Sequence, residues 1–174
     1  NHDLSVRAFY KRMFRMPTFN DLYYTDMGNA FLKPEYAEQF NVGLKYTRNF
    51  EKSPFMRMLD VSVDAYYNKI TDKIIAYPKG QQFRWTMLNL GEVEIKGVDA
   101  VLNALFTLGK LEVTTKFQYT YQKAIDITDP ADTYYRDQIP YIPWHSGSAI
   151  LALFYKGWGL NYSFIYTGQR YNQQ

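Results

Sequence analysis

Long segments of this chain alternate apolar and polar side chains with a period of two. From Leu111 to Gln122 the odd positions carry Leu, Val, Thr, Phe, Tyr and Tyr, and the even positions carry Glu, Thr, Lys, Gln, Thr and Gln. Successive side chains of a β-strand point to opposite faces, so this pattern predicts a strand with one apolar and one polar face. The segments 59–68 and 158–167 repeat the alternation, with Ile165 as the exception.

The alternation predicts seven strands, and no stretch with a helical period competes with them. The predicted strands cover about residues 3–13, 35–48, 57–75, 92–107, 110–124, 145–156 and 158–170. Most are about twice as long as the ~5–6 residues that are usual in soluble sheets. That length favours strands that cross a bilayer at a tilt.

Short and long connections alternate along the chain. The turns around 108–110 and 156–159 contain glycine and are tight, and 49–56 is a modest turn, whereas 14–34, 76–91 and 125–144 are long. Outer-membrane barrels of bacteria have short turns at one end and long external loops at the other. The predicted fold is therefore all-β, an antiparallel transmembrane β-barrel segment of about seven long strands. Since single-chain bacterial barrels usually have even strand numbers, residues 1–174 are interpreted as a partial barrel domain, a fragment.

The composition agrees with a chain that is half in lipid and half in water. There are 17 Tyr and 12 Phe, and a Tyr ring with its hydroxyl suits a membrane interface. Seven aromatic residues near strand ends are expected in interfacial girdles: Tyr66, Tyr67, Tyr119, Tyr121, Tyr155, Trp158 and Tyr166. The polar positions Asp60, Asp64, Glu112, Lys116, Gln118 and Asn161 are expected to face the lumen. A net charge of +3 gives no strong field for nucleic acid.

Catalysis and cofactor binding have little support in this sequence. The absence of cysteine excludes disulfides, thiolate metal sites and a cysteine nucleophile. Only His2 and His145 could act as a histidine base, and Ser146 beside His145 would point to the opposite face of a strand. The acidic loop 126–132, followed by Asp137, lacks the spacing of a calcium loop and is interpreted as solvated. We expect no enzyme activity, no metal site and no cofactor.

Several short motifs follow one another in an order that resembles the TonB-dependent outer-membrane receptors. They are the FRMPTFNDLY segment at 14–23, the GN pair at 28–29, the LKPE segment at 32–35, Glu38 with Gly43, the IKGVD segment at 95–99, and the later segments 139–145 and 166–171. Asp99 stands where Glu is commoner in that family. Pro34, without an N–H, suits the first step of a strand. The motifs indicate barrel construction rather than ligand chemistry.

The resemblance implies a function in active transport. A complete receptor of this kind has ~22 strands around a plugged lumen, and this chain is similar to the later part of that barrel, without the plug or the segment that contacts TonB. It implies a bacterial outer membrane location, lipid and lipopolysaccharide as neighbours, and import of a siderophore, cobalamin, glycan or peptide with energy from the TonB complex. The alternatives are a soluble or surface β-sheet binding module and a passive porin.

Candidate ligand contacts lie on the long loops. Aromatic and arginine side chains are preferred at binding surfaces, which singles out Tyr77, Phe83, Arg84, Trp85, Tyr134, Tyr135 and Arg136. The alternative is that these side chains only cap the barrel or sit in its girdle. The cluster Lys11, Arg12 and Arg15 is a second candidate, for lipopolysaccharide phosphates, although it also fits a solvated strand end.

Overall fold

The residues that the structure describes form one antiparallel sheet of seven strands. A computed structural model describes residues 2–79, 84–133 and 135–171. The strands are β1 His2–Arg15, β2 Glu35–Asn49, β3 Met56–Lys79, β4 Arg84–Leu108, β5 Leu111–Asp126, β6 His145–Tyr155 and β7 Trp158–Thr167. Each strand pairs with the next in sequence, so β1 and β7 are the two edges of an open sheet. The predicted all-β class and all seven predicted strands are confirmed.

Residues with positive φ form the tight turns at the end of the sheet that carries the short connections, which we call the turn end. Gly109 has φ +63° between β4 and β5, and Lys156 and Gly157 have φ +47° and +86° between β6 and β7. The two successive positive φ values at Lys156 and Gly157 match a two-residue hairpin turn, whose backbone twist agrees with the right-handed twist of the flanking strands. The long connections 16–34 and 127–144 lie at the other end, which we call the loop end.

The strand register separates polar from apolar side chains. Directly paired residues share a face, and one row runs across all seven strands through Arg7, Gly43, Asp64, Asp99, Thr120, Ser146 and Thr167. The six positions predicted to be luminal share this face, which we call the polar face. The adjacent row on the other side includes Leu44, Val63, Ala100 and Tyr119 and defines the apolar face. Val63, Leu102 and Phe117 on that face stay 40%, 36% and 51% exposed in the sheet.

The segment 76–91 was predicted to be a long loop, and that prediction is wrong. The strands β3 and β4 continue through most of it as a paired arm, with Ala76 opposite Met87 and Tyr77 opposite Thr86. The Pro, Asn and aromatic residues of the segment suggested a loop, but only the four residues 80–83 lie between the two strands, and they fall outside the described part. Backbone pairing overrides the local composition here because each strand supplies the other with hydrogen-bond partners.

One short helix interrupts the connection between β1 and β2. Helix α1 spans Phe19–Tyr23, and Thr18 and Asp21 form a capping box in which each side chain accepts a hydrogen bond from the other's backbone N–H. The sequence shows no helical period at this helix, because a single turn is too short to produce a periodic pattern. Among the described residues, no helix has the length and apolar character needed to cross a membrane.

The connection 16–34 is held against the β4 arm by side-chain amides. Asn89 accepts from the backbone N–H of Lys33 at 2.9 Å and donates to the carbonyl oxygens of Lys33 at 3.1 Å and Asp72 at 2.7 Å. Asn29 donates to the carbonyl of Met87 at 3.0 Å, and the N–H of Met87 donates to Met27. Glu35 accepts from the N–H of Ile74 at 3.0 Å, beside Asp72 with its φ of +54°. The GN and LKPE motifs therefore fasten this connection to the sheet.

Asn89→Ala is expected to free the connection 16–34 from the arm. The change removes three hydrogen bonds to backbone groups, each worth about 0.5–1.5 kcal/mol net. Local opening should make amide hydrogen exchange at Lys33 on the order of tenfold faster or more, which exchange mass spectrometry would measure. The control is Asn161→Ala on the edge strand β7, which should leave that exchange unchanged; equal exchange in Asn89→Ala and the wild type would refute the clamp.

A small buried cluster lies on the sheet near the loop end. It contains Ile70, Val93, Ile95, Ala124 and Ile139, of which Val93 and Ala124 are fully buried. Ile139 comes from the connection 127–144, whose backbone pairs with the part of β5 beyond β6. The N–H of Ile139 donates to the carbonyl of Ala124 at 2.8 Å, and the buried Gln138 side chain accepts from the N–H of Ala124 at 2.9 Å. This long connection is therefore ordered against the sheet.

Candidate functional site

A glycine on the polar face leaves room for an ion pair between the two strands that flank it. Gly43 lies between Arg7 and Asp64 in the register, and the guanidinium of Arg7 reaches over it to make two hydrogen bonds to Asp64, at 3.0 Å and 2.6 Å. A side chain at Gly43 would collide with both groups. This bidentate geometry fixes the direction of both side chains.

A second carboxylate of the polar face is held by three neighbours. Asp60 pairs with Lys45 at 3.0 Å and accepts hydrogen bonds from Thr47 at 2.8 Å and Asn103 at 3.2 Å. Asp99, opposite Asp64, accepts from the Thr120 hydroxyl at 2.7 Å. The face is thus a charged, hydrogen-bonded wall with both signs present. Such a surface suits contact with water or polar ligands.

Aromatic rings form a belt on the apolar face near the loop end. Tyr10 packs against Phe40 with ring centroids 4.7 Å apart, and Phe40 lies 6.3 Å from Tyr67. Farther along, the Tyr119 hydroxyl lies 2.7 Å from Nδ1 of His145. The hydrogen-bond partner of this ring nitrogen is therefore a tyrosine and not a serine nucleophile. Tyr155 and Trp158 lie on the same face at the turn end. Two interfacial belts are consistent with a lipid-facing surface.

Tyr66 was expected in the girdle, and that prediction is wrong. The register places it on the polar face, opposite Gly97 and Asn41. Its ring lies over Gly97, where an added Cβ would meet Cζ and Oη of the tyrosine. The ring covers the backbone that a glycine exposes, which is why a tyrosine occurs on this face.

Among the described residues, the loop residues singled out from the sequence include two, Tyr77 and Trp85, that lie on opposite faces of the β3–β4 arm. Phe83 and Tyr134 lie outside the described residues. Arg84 begins β4, and Tyr77 pairs with Thr86, so its side chain is on the opposite face from Trp85. Tyr135 and Arg136 stack on each other, with the guanidinium 5.7 Å from the ring centroid, and Arg136 interacts electrostatically with Glu94. Their role as ligand contacts stays a prediction.

Trp85 has an aromatic partner that was not singled out from the sequence. The ring of Tyr141 lies 5.7 Å from that of Trp85, and the N–H of Tyr141 donates to the carbonyl of Tyr171 beyond β7. Tyr141 has φ +65°, an uncommon value for a non-glycine residue. The available signal was an aromatic between Pro140 and Pro143. The pair joins the β4 arm to the connection 127–144 at the loop end.

The basic cluster near the end of β1 is divided between the two faces. Lys11 and Arg15 lie on the polar face, where Arg15 pairs with Glu35 at 3.3 Å. Arg12 lies on the apolar face, 3.7 Å from Glu38. The three cations therefore do not form a single lipid-phosphate site, because alternate residues of a strand point in opposite directions.

The acidic loop after β5 uses its carboxylates in its own turns. Asp126 accepts hydrogen bonds from the N–H and the hydroxyl of Thr128, and Asp129 accepts from the N–H of Ala131 at 2.9 Å. These contacts are the side-chain-to-backbone turns that aspartate favours. Within the described ranges, no three His, Asp or Glu side chains are grouped so that they could hold a metal ion.

Comparison with known proteins agrees with this two-faced sheet. Residues 1–174 match the family model described as TonB dependent receptor-like, beta-barrel. A protein of Photobacterium profundum named "Vitamin B12 transporter BtuB" is 30% identical over 177 residues, which cover 98% of this chain and 26% of that protein. Its namesake in Vibrio vulnificus is 34% identical over 99 residues, 57% of this chain and 14% of that protein.

The chain spans about a quarter of the length of the relative that it matches almost throughout. The matching family is one of outer-membrane receptors and transporters rather than of enzymes, and the polar interior and apolar exterior of such barrels correspond to the two faces of this sheet. The chain belongs to the TonB-dependent receptor family, within its β-barrel domain.

Proposed function

We propose that this chain is part of the barrel wall of an active-transport receptor in the outer membrane of a bacterium. Residues 1–174 would be a partial barrel domain, with further strands pairing at β1 and β7. The observation that carries the proposal is the register, which puts Arg7, Asp64 and Asp99 on one face and Val63, Ala100 and Tyr119 on the other. The first set suits a water-filled lumen and the second suits lipid.

The transported ligand would be a scarce nutrient, and cobalamin is the first candidate to test. Two relatives at 30% and 34% identity are named for vitamin B12 transport. A siderophore, a glycan or a peptide would use the same kind of barrel with other loops. Energy would come from the TonB complex through parts of the receptor outside this segment.

An uptake assay with the complete receptor tests the function. A bacterium lacking its own cobalamin receptor would express the complete protein, and uptake of labelled cobalamin would be followed with and without functional TonB. Saturable uptake that disappears without TonB supports the proposal. Uptake that persists without TonB and rises linearly with concentration would indicate the passive porin instead. A protein that is recovered in soluble form, outside the membrane, would favour the binding-module alternative.

The aromatic pair at the loop end supports a contact with the incoming ligand. Trp85 and Tyr141 present rings from two separate segments, and Tyr141 is 37% exposed. Tryptophan and tyrosine are enriched among residues that dominate binding energy. We therefore place the ligand near this pair rather than across all seven residues suggested by the sequence.

Trp85→Ala is expected to weaken ligand binding by the complete receptor on the order of thirtyfold, since a binding residue of this kind contributes about 2 kcal/mol. The measurement is an equilibrium titration of the purified receptor in detergent with the ligand that the uptake assay identifies. Trp158→Ala is the matched control, because Trp158 is 82% exposed at the turn end of β7. Equal affinity in Trp85→Ala and Trp158→Ala would remove the pair from the binding site.

A further inference from the structure

A concave groove crosses the apolar face, next to a row of charged side chains that lies closer to the loop end. Its volume is about 440 Å³, and its apolar-face walls come from four strands. Ala65 is smaller than its neighbours Val42, Val98 and Tyr121 in the same row, so the surface is hollow at that point. Aromatic side chains bound the hollow on the loop side and at its end. The lining residues on this face include Phe40, Val42, Ala65, Tyr67, Val98 and Tyr121.

Two lysines face each other at the edge of this groove that is closer to the loop end, and one of them, Lys96, lines the groove. Lys96 and Lys123 are paired in the register of β4 and β5, and both lie on the apolar face. Like charges directly opposite each other in a sheet are destabilising. Residues two apart on a strand share a face and lie about 6.8 Å from each other. Lys96 is therefore the neighbour of Val98 in the groove, on the side of the loop end.

Only one of the two ammonium groups has a carboxylate partner within the described ranges. Lys96 Nζ lies 2.8 Å from Glu94 and 5.4 Å from the centre of the Tyr67 ring, and the Tyr67 hydroxyl donates to the same carboxylate at 3.1 Å. Lys123 lies over the ring of Trp144 at 5.8 Å, and in the described part of the chain no carboxylate is within ion-pair distance of it. Glu94 is thus surrounded by cations, since Arg136 also interacts with it electrostatically, and the lysine pair is suited to a further anion.

We propose that the groove and the lysine pair form a binding site for lipopolysaccharide, with a phosphate at Lys96 and Lys123 and an acyl chain over Ala65 and Val98. An apolar hollow beside two cations matches the amphipathic chemistry of a phosphorylated lipid. The site is near the loop end, which in this family faces outwards, so the lipid comes from the outer leaflet. The inference rests on the proposed outer-membrane location but not on which nutrient is transported. It replaces the cluster Lys11, Arg12 and Arg15, which the register divides.

The test uses the complete receptor, purified in mild detergent and stripped of lipid. Native mass spectrometry would measure binding of lipid A with both phosphates, of lipid A without phosphate, and of phosphatidylglycerol. Lys96→Ala/Lys123→Ala should weaken binding of phosphorylated lipid A roughly thirtyfold, about fivefold for each lysine. The wild type should bind dephosphorylated lipid A as weakly as that double variant. Lys116→Ala is the matched control, because Lys116 lies on the polar face of β5.

A second variant tests the groove without changing any charge. Ala65→Leu fills the hollow while the face remains apolar, and it should weaken lipid A binding on the order of tenfold; Val61→Leu, two rows away on β3, should not. Wild-type binding by the double variant, or phosphatidylglycerol binding as tightly as lipid A, would overturn the proposal. Nutrient uptake by the double variant should stay at the wild-type level. Unchanged lipid A binding by the double variant, with intact uptake, would therefore refute this site alone, and absent uptake in the wild type would refute the transport function alone.

Discussion

Leu102→Arg is expected to lower the free energy of unfolding of the complete barrel by about 2–4 kcal/mol, the cost of an arginine on the lipid face near the bilayer midplane. Leu102 lies on the apolar face between Val61 and Phe117, midway between Lys96 and the end of β4 at Leu108. Its side chain is 36% exposed in the sheet, and the proposed membrane location would put that exposed part against lipid. Equilibrium unfolding in lipid vesicles by denaturant measures the change.

The neighbouring residue is the control for that experiment. Val101 lies on the polar face opposite Ser62 and Gln118, one residue away on the same strand. Val101→Arg places the same charge at the same depth but towards the interior, and it should cost less than about 1 kcal/mol, as expected for a substitution at a water-facing position. Equal losses in the two variants would mean that the two faces of the sheet do not meet lipid and water as assigned.

Gly97→Ala is expected to destabilise the barrel by about 1–3 kcal/mol, as overpacking of a filled site does. An added Cβ would meet Cζ and Oη of Tyr66 and would lie 2.7 Å from the carbonyl oxygen of Tyr121. The tyrosine ring can swing away, but the backbone oxygen belongs to the neighbouring strand and cannot move without disturbing the ladder. Denaturant unfolding of the barrel in vesicles is again the measurement.

Two further variants separate the ring from the backbone. With Tyr66→Ala as the background, Gly97→Ala should cost less than in the wild type, and the difference is the interaction free energy of the pair. Gly147→Ala is the matched glycine control, because its added Cβ would lie 3.0 Å from its nearest neighbour, the carbonyl oxygen of Gln118. A Gly97→Ala cost no larger than that of Gly147→Ala would contradict a specific role for the tyrosine–glycine pair.

Some features of this molecule depend only on local sequence. The period of two in 111–122 specifies which side chains share a face of β5, since strand geometry alone alternates them. Glycine at 109 and 157 marks the two tight turns because positive φ is cheap there. The family motifs then identify the barrel, and the family model covers the same residues. The polar positions predicted from alternation all share one face for the same reason.

Other features were out of reach because they depend on residues far apart in the chain. The arm formed by β3 and β4 looked like a loop, since its pairing, and its attachment through Asn89 to a segment 56 residues earlier, leave no periodic signal. Tyr66 looked like a girdle residue until the register placed it over Gly97. Trp85 was singled out for its chemistry, but its partner Tyr141 follows only from where two connections meet.

The sequence by itself determined the strands, their two faces and the family, because these follow from side-chain alternation and from short motifs within one segment. Only the tertiary structure decided the register, which places Lys96 opposite Lys123 and brings Arg7 to Asp64 across 57 residues of chain. A shift of one residue between two strands would exchange the faces and separate each of these pairs. Register is a property of whole paired strands, and for that reason no single segment encodes the rows on which the lipid site and the polar wall depend.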